Sequence, residues 1–267
     1  MSKLLIFGLG YTAARFAGRM AARGWEVTGT TRDGRGGTLR FDDEPAVRAA
    51  IRDATHILSS VPPDGEADPV LNRYGEALAL APARWVGYLS STGVYGDTGG
   101  AWIDEAAPTG TGRRAARATS DLAWAGLRAD AFVFRLPGIY GPGRSALDRV
   151  RAGTAHRIAS PGQVFSRIHV DDIVGGLIAS FTGPPGIYNL ADDYPCAQIE
   201  VTEGACDLIG APWPPLETLE EADLSPMART FYAENRRVAN GKAKRLLGWT
   251  PLFPTWREGL AACLAEA

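Results

Sequence analysis

Three groups of residues in this sequence have types and spacings that could do chemistry. The first is Gly8-Leu9-Gly10, with Ala13 closing the pattern. It directly follows the apolar run Lys3–Phe7. It also opens a stretch, Tyr11–Arg23, in which Ala13, Phe16, Ala17 and Met20 recur at helical spacing. A glycine pattern between a strand and a helix is the context that binding a dinucleotide pyrophosphate requires. Gly8 allows the tight turn, Gly10 lets backbone reach the phosphates, and Ala13 lets helix and strand pack closely. Tyr11 and Thr12, at the helix start, then offer free N–H groups and the positive end of the helix dipole.

The second group is Thr30-Thr31-Arg32-Asp33, at the end of the next strand. An acidic residue there, about 20 residues past the turn, would hold the ribose hydroxyls of NAD. Thr31 and Arg32 come first instead, and a guanidinium can take a 2′-phosphate bidentately. The pattern points to NADP(H) in preference to NAD(H). In the alternative, Arg32 is a solvated loop residue and Asp33 takes the ribose. The third group is hydroxylic: Ser90-Ser91-Thr92, with Tyr95 and Tyr140 in later turns. Serine and threonine are too weakly acidic to shuttle a proton unaided, whereas either tyrosine could supply a phenol or simply pack its turn.

These groups need a scaffold that brings strand ends together. Short apolar runs alternate with amphipathic stretches through the first half, which implies βαβ units and a parallel sheet. Strands are expected at Lys3–Phe7, Trp25–Thr30, Thr38–Phe41, His56–Val61, Trp85–Ser90 and Ala131–Leu136. Helices are expected at Tyr11–Arg23, about Arg113–Leu127 and Pro254–Ala265. The fold class is α/β, a Rossmann doubly wound parallel sheet with a small C-terminal substrate lobe. Residues 1–143 and about 167–183, including a helical stretch Ile168–Phe181, form the dinucleotide-binding domain. Residues 144–166 and 184–267, richer in Pro and Gly, form the lobe.

Bulk properties exclude several function classes. The chain has 267 residues, 45% hydrophobic and 22% charged, with a net charge of -2. Nothing in that balance suggests nucleic acid or an anionic membrane as partner. Cys196, Cys206 and Cys263 lack C-x-x-C spacing and suggest neither a disulfide framework nor a metal site. The Leu4–Phe7 run is too short for a secretory signal, and no stretch is long enough to span a bilayer. The expectation is a cytoplasmic protein with a small-molecule substrate.

Several segments together resemble the extended short-chain dehydrogenase/reductase family, the group of NAD-dependent epimerases and dehydratases. They are Ser90-Ser91-Thr92-Gly93-Val94-Tyr95-Gly96, Arg135–Gly143, Arg167-Ile168-His169-Val170-Asp171-Asp172-Ile173 and Gly186–Leu190. The resemblance implies that Ser91 is the hydroxyl that hydrogen-bonds the reacting oxygen, with Ser90 facing the cofactor. It implies that Asp42 receives the adenine amino group and that Ser60-Val61-Pro62 passes along the ribose and pyrophosphate. Pro137 and Ile139 fall where the family's backbone touches the nicotinamide. Thr92, Arg144, Arg167 and Asn189 fall where a polar substrate would lie. The dehydratase type carries Asp-Glu after its hydroxyl residue, and Thr92-Gly93 stands there here.

One match fails. The family's acid/base is the tyrosine of a Tyr-x-x-x-Lys pair, whose lysine lowers the phenol pKa. The corresponding stretch is Thr109-Gly110-Thr111-Gly112-Arg113-Arg114-Ala115-Ala116-Arg117, and no Tyr in the chain has Lys at the fourth following position. Arg113 or Arg117 could replace the lysine as a ribose contact, but neither exchanges a proton near neutrality. Two functions follow. One is an NADP-dependent oxidoreductase or epimerase with a relocated acid/base. The other is an NADP(H)-binding sensor or regulatory protein without turnover. The helix near Arg113–Leu127, with Leu122, Trp124 and Leu127, could serve a homodimer, and an internal packing face would look the same.

Overall fold

Continuous apolar runs and helically spaced stripes alternate along the chain, and each buries its own way. Leu4–Phe7 and Ala131–Leu136 are buried along their whole lengths, as strands covered on both faces must be. The stripe Ala13, Phe16 and Met20 is buried while Arg19 and Arg23 stay in solvent. A computed structural model describes residues 1–110 and 115–266 of this arrangement. In chain order the elements begin β1 (Lys3–Phe7), α1 (Tyr11–Ala21), β2 (Glu26–Thr31), β3 (Leu39–Arg40), α2 (Glu44–Asp53), β4 (His56–Ser59), α3 (Pro69–Ala79) and β5 (Trp85–Ser91). Then follow β6 (Trp102–Ile103), α4 (Ala115–Leu127), β7 (Ala131–Leu136), β8 (Gly138–Tyr140), α5 (Ala146–Arg151), β9 (Arg157–Ile158), β10 (Arg167–His169) and α6 (Val170–Ala179). The chain ends with β11 (Gly186–Asn189), α7 (Gln198–Ile209), β12 (Leu216–Glu217), α8 (Pro226–Tyr232), β13 (Arg237–Val238), α9 (Gly241–Leu247) and α10 (Trp256–Ala265).

The main sheet has seven strands, in the order β11-β7-β5-β4-β1-β2-β3, all parallel. The fold is a Rossmann-type α/β sheet, as the alternation of runs and stripes predicts. The order reverses between β1 and β4, where Phe7 pairs with both Thr30 and Ser59. Ligands of open α/β sheets bind at such a switch point, beyond the strands' carboxyl ends. One core layer puts Phe16 of α1, Ile173 of α6 and Leu247 of α9 against Leu58 and Phe134 of the sheet. The opposite layer packs Val47, Tyr74 and Trp124, from α2, α3 and α4, against Leu5, Val86 and Val133. A third cluster joins Leu147 of α5, Val201 of α7 and Leu260 of α10 into the small lobe.

Two expectations are corrected. Gly186–Asn189, assigned to the lobe by its Pro/Gly-rich surroundings, is the edge strand of the main sheet and pairs with Phe132–Arg135. The expected helix over Ile168–Phe181 begins instead with β10, and its first turn is capped by His169. Of the two readings of the α4 face, Trp124 takes the internal one, while Leu122 is exposed. Trp124 is 1% exposed, stacks on Tyr88 and donates Nε1–H to Asp68 at 2.8 Å. Among the described residues no helix is long and apolar enough to cross a membrane.

Candidate functional site

The switch point is built around the glycine turn. Gly8 has φ +80, and a Cβ there would lie 2.8 Å from Val61 Cγ2, so both conformation and space require glycine. Ser60 donates its hydroxyl to Gly8 O at 2.5 Å, and Gly8 N–H donates to Thr30 Oγ1 at 3.3 Å. The turn is thus clamped to the ends of β4 and β2. Gly10 is the N-cap of α1, with no side-chain cap, and a Cβ there would meet nothing within 4 Å. Ala13 is fully buried behind it. An uncapped helix start opening into free space fits the pyrophosphate of a dinucleotide.

That space belongs to a cavity of about 900 Å³ running from the switch point into the lobe. Gly10, Tyr11, Thr12, Ser60 and Pro62 line one end; Ser90, Ser91, Thr92, Pro137 and Ile139 line the middle; Arg144 and Arg167 line the lobe side. Tyr11 donates its hydroxyl to Pro142 O at 3.0 Å, and the Arg144 guanidinium lies 5.6 Å above its ring. Burial pushes the Tyr11 phenol up to about 12. Ser91 Oγ accepts the Gly93 N–H at 3.1 Å, and among the described residues nothing accepts the serine's own proton. Arg117 also lines the cavity. Arg113 lies outside the described residues.

Thr31, Arg32 and Asp42 sit at the ends of β2 and β3, outside the cavity wall. Thr31 shares a 2.7 Å hydrogen bond with Thr38, and Arg32 is exposed. Asp42 is forked by Arg40 at 3.0 and 2.9 Å, which holds its carboxyl below the usual range. Asp33 accepts the Arg35 N–H at 3.5 Å within its own loop.

Two tyrosines and one asparagine are not brought to the site. Tyr95 is 1% exposed; its hydroxyl donates to Asn189 Oδ1 at 2.8 Å and accepts from Arg135 Nη1 at 2.9 Å. Asn189 is fully buried, donating to Ala239 O at 3.2 Å, so it cannot face a substrate. Tyr140 lines the cavity with its ring, but its hydroxyl points at α10, where a Cβ on Gly259 would be 2.0 Å away. Burial raises both phenols, Tyr140 the more. Both are packing residues, because the 3-10 turn Thr92–Tyr95 and the lobe interface turn their hydroxyls away from the cavity. His169 is structural too: it accepts Asp171 N–H at 3.2 Å to cap α6, and burial lowers its pKa.

Beneath the middle of the cavity is an ion pair that motif reading does not find. Asp121 of α4 and Arg135 of β7 are 0% and 2% exposed and meet at 2.6 Å. Ser90 donates to the same carboxylate. Glu105 extends the network by accepting Asn189 N–H at 2.7 Å. A signal is present in the sequence: Asp121 interrupts the inward face marked by Ala118 and Trp124, and Arg135 interrupts the run Ala131–Leu136. Two opposite charges at buried positions of adjacent elements must pair. Arg149, Phe165 and Tyr232, which also line the lobe end, carry no comparable signal.

No protein-family model matches the sequence. Protein YeeZ of Escherichia coli (strain K12) is 30% identical over 219 residues, covering 71% of this chain and 77% of YeeZ. The chain belongs to the YeeZ family. A 3-diazoavenalumate denitrifying reductase from Streptomyces sp is 34% identical over 155 residues, 54% of this chain and 48% of the reductase. The chain therefore matches about half the length of that relative. Among solved structures, a functionally unknown conserved protein from Silicibacter pomeroyi DSS superposes with a TM-score of 0.88 at 42% identity, covering 100% of this chain and 99% of that one. The human epimerase family protein SDR39U1 with NADPH gives 0.80 at 18% identity, covering 99% and 100%. MoeE5 with UDP-glucose and NAD gives 0.75 at 19%, covering 99% and 98%. The last two show a shared fold.

Proposed function

We propose that this chain is an NADP(H)-binding oxidoreductase or epimerase of the extended short-chain type, acting on a small hydroxylated or sugar-nucleotide-like substrate. One observation carries the reading: the uncapped start of α1, the free Ser91 proton and the lobe arginines all open onto one cavity. The cofactors of the structural neighbours, NADPH and NAD, support a nicotinamide, and the name of the Streptomyces relative supports reduction. A bound nicotinamide would supply or accept hydride.

The chain's own residues would do the rest. The N–H groups of Tyr11 and Thr12 receive the pyrophosphate, and exposed Arg32 takes the 2′-phosphate. Arg117, which lines the cavity in the stretch corresponding to the family's lysine, would serve as a ribose contact. Pro137 and Ile139 flank the nicotinamide. Ser91, its acceptor side held by Gly93, directs its proton at the substrate oxygen. Thr92 and Arg144 border the same oxygen-bearing group.

The want of a Tyr-x-x-x-Lys pair favours a second reading, an NADP(H) sensor without turnover. NADPH oxidation followed against a panel of carbonyl compounds and sugar nucleotides separates the two. Turnover abolished by Ser91→Ala supports the enzyme. Tight NADPH binding, no turnover and no effect of Ser91→Ala leave only the sensor.

A further inference from the structure

The lobe end of the cavity is lined by Arg149 of α5, Arg167 of β10, Phe165 and Tyr232 of α8. Phe165 and Tyr232 meet edge to face at 5.3 Å, and the Arg167 guanidinium lies 6.0 Å from the Phe165 ring. Arg167 is 6% exposed, yet its donors go only to neutral acceptors: Phe165 O at 2.8 Å, Cys196 O at 3.3 Å, Cys196 Sγ at 3.2 Å and Gln198 Oε1 at 3.0 Å. A buried guanidinium ordinarily has a carboxylate partner. Among the described residues none is in ion-pair contact with Arg167 or with Arg149. Asp192 feels the Arg167 charge without forming an ion pair with it, and burial pushes its carboxyl up to about 7.

The cavity as a whole is one-sided in charge. Among the described residues, Arg117, Arg144, Arg149, Arg167 and Arg236 line it against Glu234 as the one carboxylate, and Glu234 is held by Arg236 at 2.8 Å. In a chain of net charge -2, that concentration of positive charge in a concave, partly apolar wall favours an anion. The dinucleotide's own phosphates belong at the other end, on α1, so they do not account for it. We infer that Arg149, Arg167 and Tyr232 form a subsite for an oxyanion, a carboxylate or phosphate carried by the substrate, with Phe165 against the group that bears it. The inference rests on the cavity being the joint cofactor and substrate site.

The test is calorimetric titration of the full chain, loaded with whichever nicotinamide dinucleotide binds, using inorganic phosphate, benzoate and neutral benzamide. The cofactor is titrated first, without added anion. Absence of cofactor binding defeats the functional reading, whereas cofactor binding with no anion step defeats only the subsite. The expected result is binding of phosphate or benzoate but not benzamide, weakened about 10-fold or more by Arg149→Gln. Phosphate alone assigns a phosphate-bearing substrate, and benzoate alone a carboxylic acid. Tyr232→Phe keeps the ring on Phe165 and provides a second reading should Arg149→Gln not fold, with a loss of roughly 2- to 10-fold. Equal affinity for benzamide and benzoate, or unchanged anion affinity in the variants, overturns the subsite.

Discussion

The two ends of the cavity are built from opposite materials. At the switch point the wall is mainly backbone and small side chains, with Tyr11 as the one large group: Gly10, Thr12, Pro62, the uncapped turn of α1, and Ser60, which clamps Gly8 behind it. At the lobe the wall is long side chains, Arg149, Arg167, Phe165 and Tyr232, contributed by segments remote in the sequence. The first end draws its polarity from a helix terminus, which one contiguous segment can make. The second draws it from guanidinium groups that converge only when α5, β10 and α8 pack together. Between them lies the buried pair Asp121–Arg135, which belongs to neither wall and holds β7 and α4 together beneath Ser90.

The contrast can be tested by substitution, starting with that boundary. Asp121→Ala leaves Arg135 charged and buried and should cost about 3–5 kcal/mol in urea unfolding. The double change Asp121→Leu with Arg135→Met should cost markedly less. A single-variant cost below about 1 kcal/mol would mean that the network is not closed as described. Next in size, Ser91→Ala should lower turnover about 100-fold or more while NADPH affinity holds, as loss of one donor to a reacting oxygen does. Steady-state kinetics beside fluorescence titration separate the two effects.

Gly8→Ala should act at the backbone end alone. It forces a φ of +80 on alanine and drives its Cβ onto Val61, so dinucleotide affinity should collapse with a stability loss of at least about 1 kcal/mol. Arg32→Ala should weaken NADPH about 10- to 150-fold and leave NADH unchanged. Equal loss for both cofactors would remove the 2′-phosphate assignment.

The smallest expected effect is a pH slope at the lobe. Asp192 is 1% exposed; its Oδ1 accepts Tyr194 N–H at 3.2 Å and its Oδ2 has no partner among the described residues. Burial raises its carboxyl to about 7 in the folded chain, against about 3.9 when unfolded. The folded state therefore binds the extra proton, so this group lowers stability as pH rises from about 4 to about 7. Asp192→Asn should remove that slope and leave the variant more stable than the parent at pH 8. Parallel stability–pH curves for the two proteins would contradict the burial of this carboxyl.

Much of the scaffold is legible in the amino-acid pattern alone. Continuous runs such as Leu4–Phe7 and the stripe Ala13, Phe16 and Met20 are periodicities that burial enforces locally. The helices α2 and α3 are less visible, although Asp43 and Asp68 cap them and proline occupies their first turns. Tyr95 and Tyr140 escape a motif-based placement for a single reason. A motif gives the position of a residue near a strand end, but the turn that follows β5 and the opposing lobe decide which way its hydroxyl points.

By itself, the sequence determined the dinucleotide turn. Strand, glycines and helix start are contiguous, and a helix terminus carries its N–H groups and partial charge wherever the helix goes. It also determined Arg32 as the first side chain beyond β2, and Ser91 at the end of β5. Only the tertiary structure decided that Tyr95 and Asn189 close on each other, and that Arg149 and Arg167 share a wall. Those outcomes depend on distances between segments far apart in the chain, and such distances are fixed by how the layers pack.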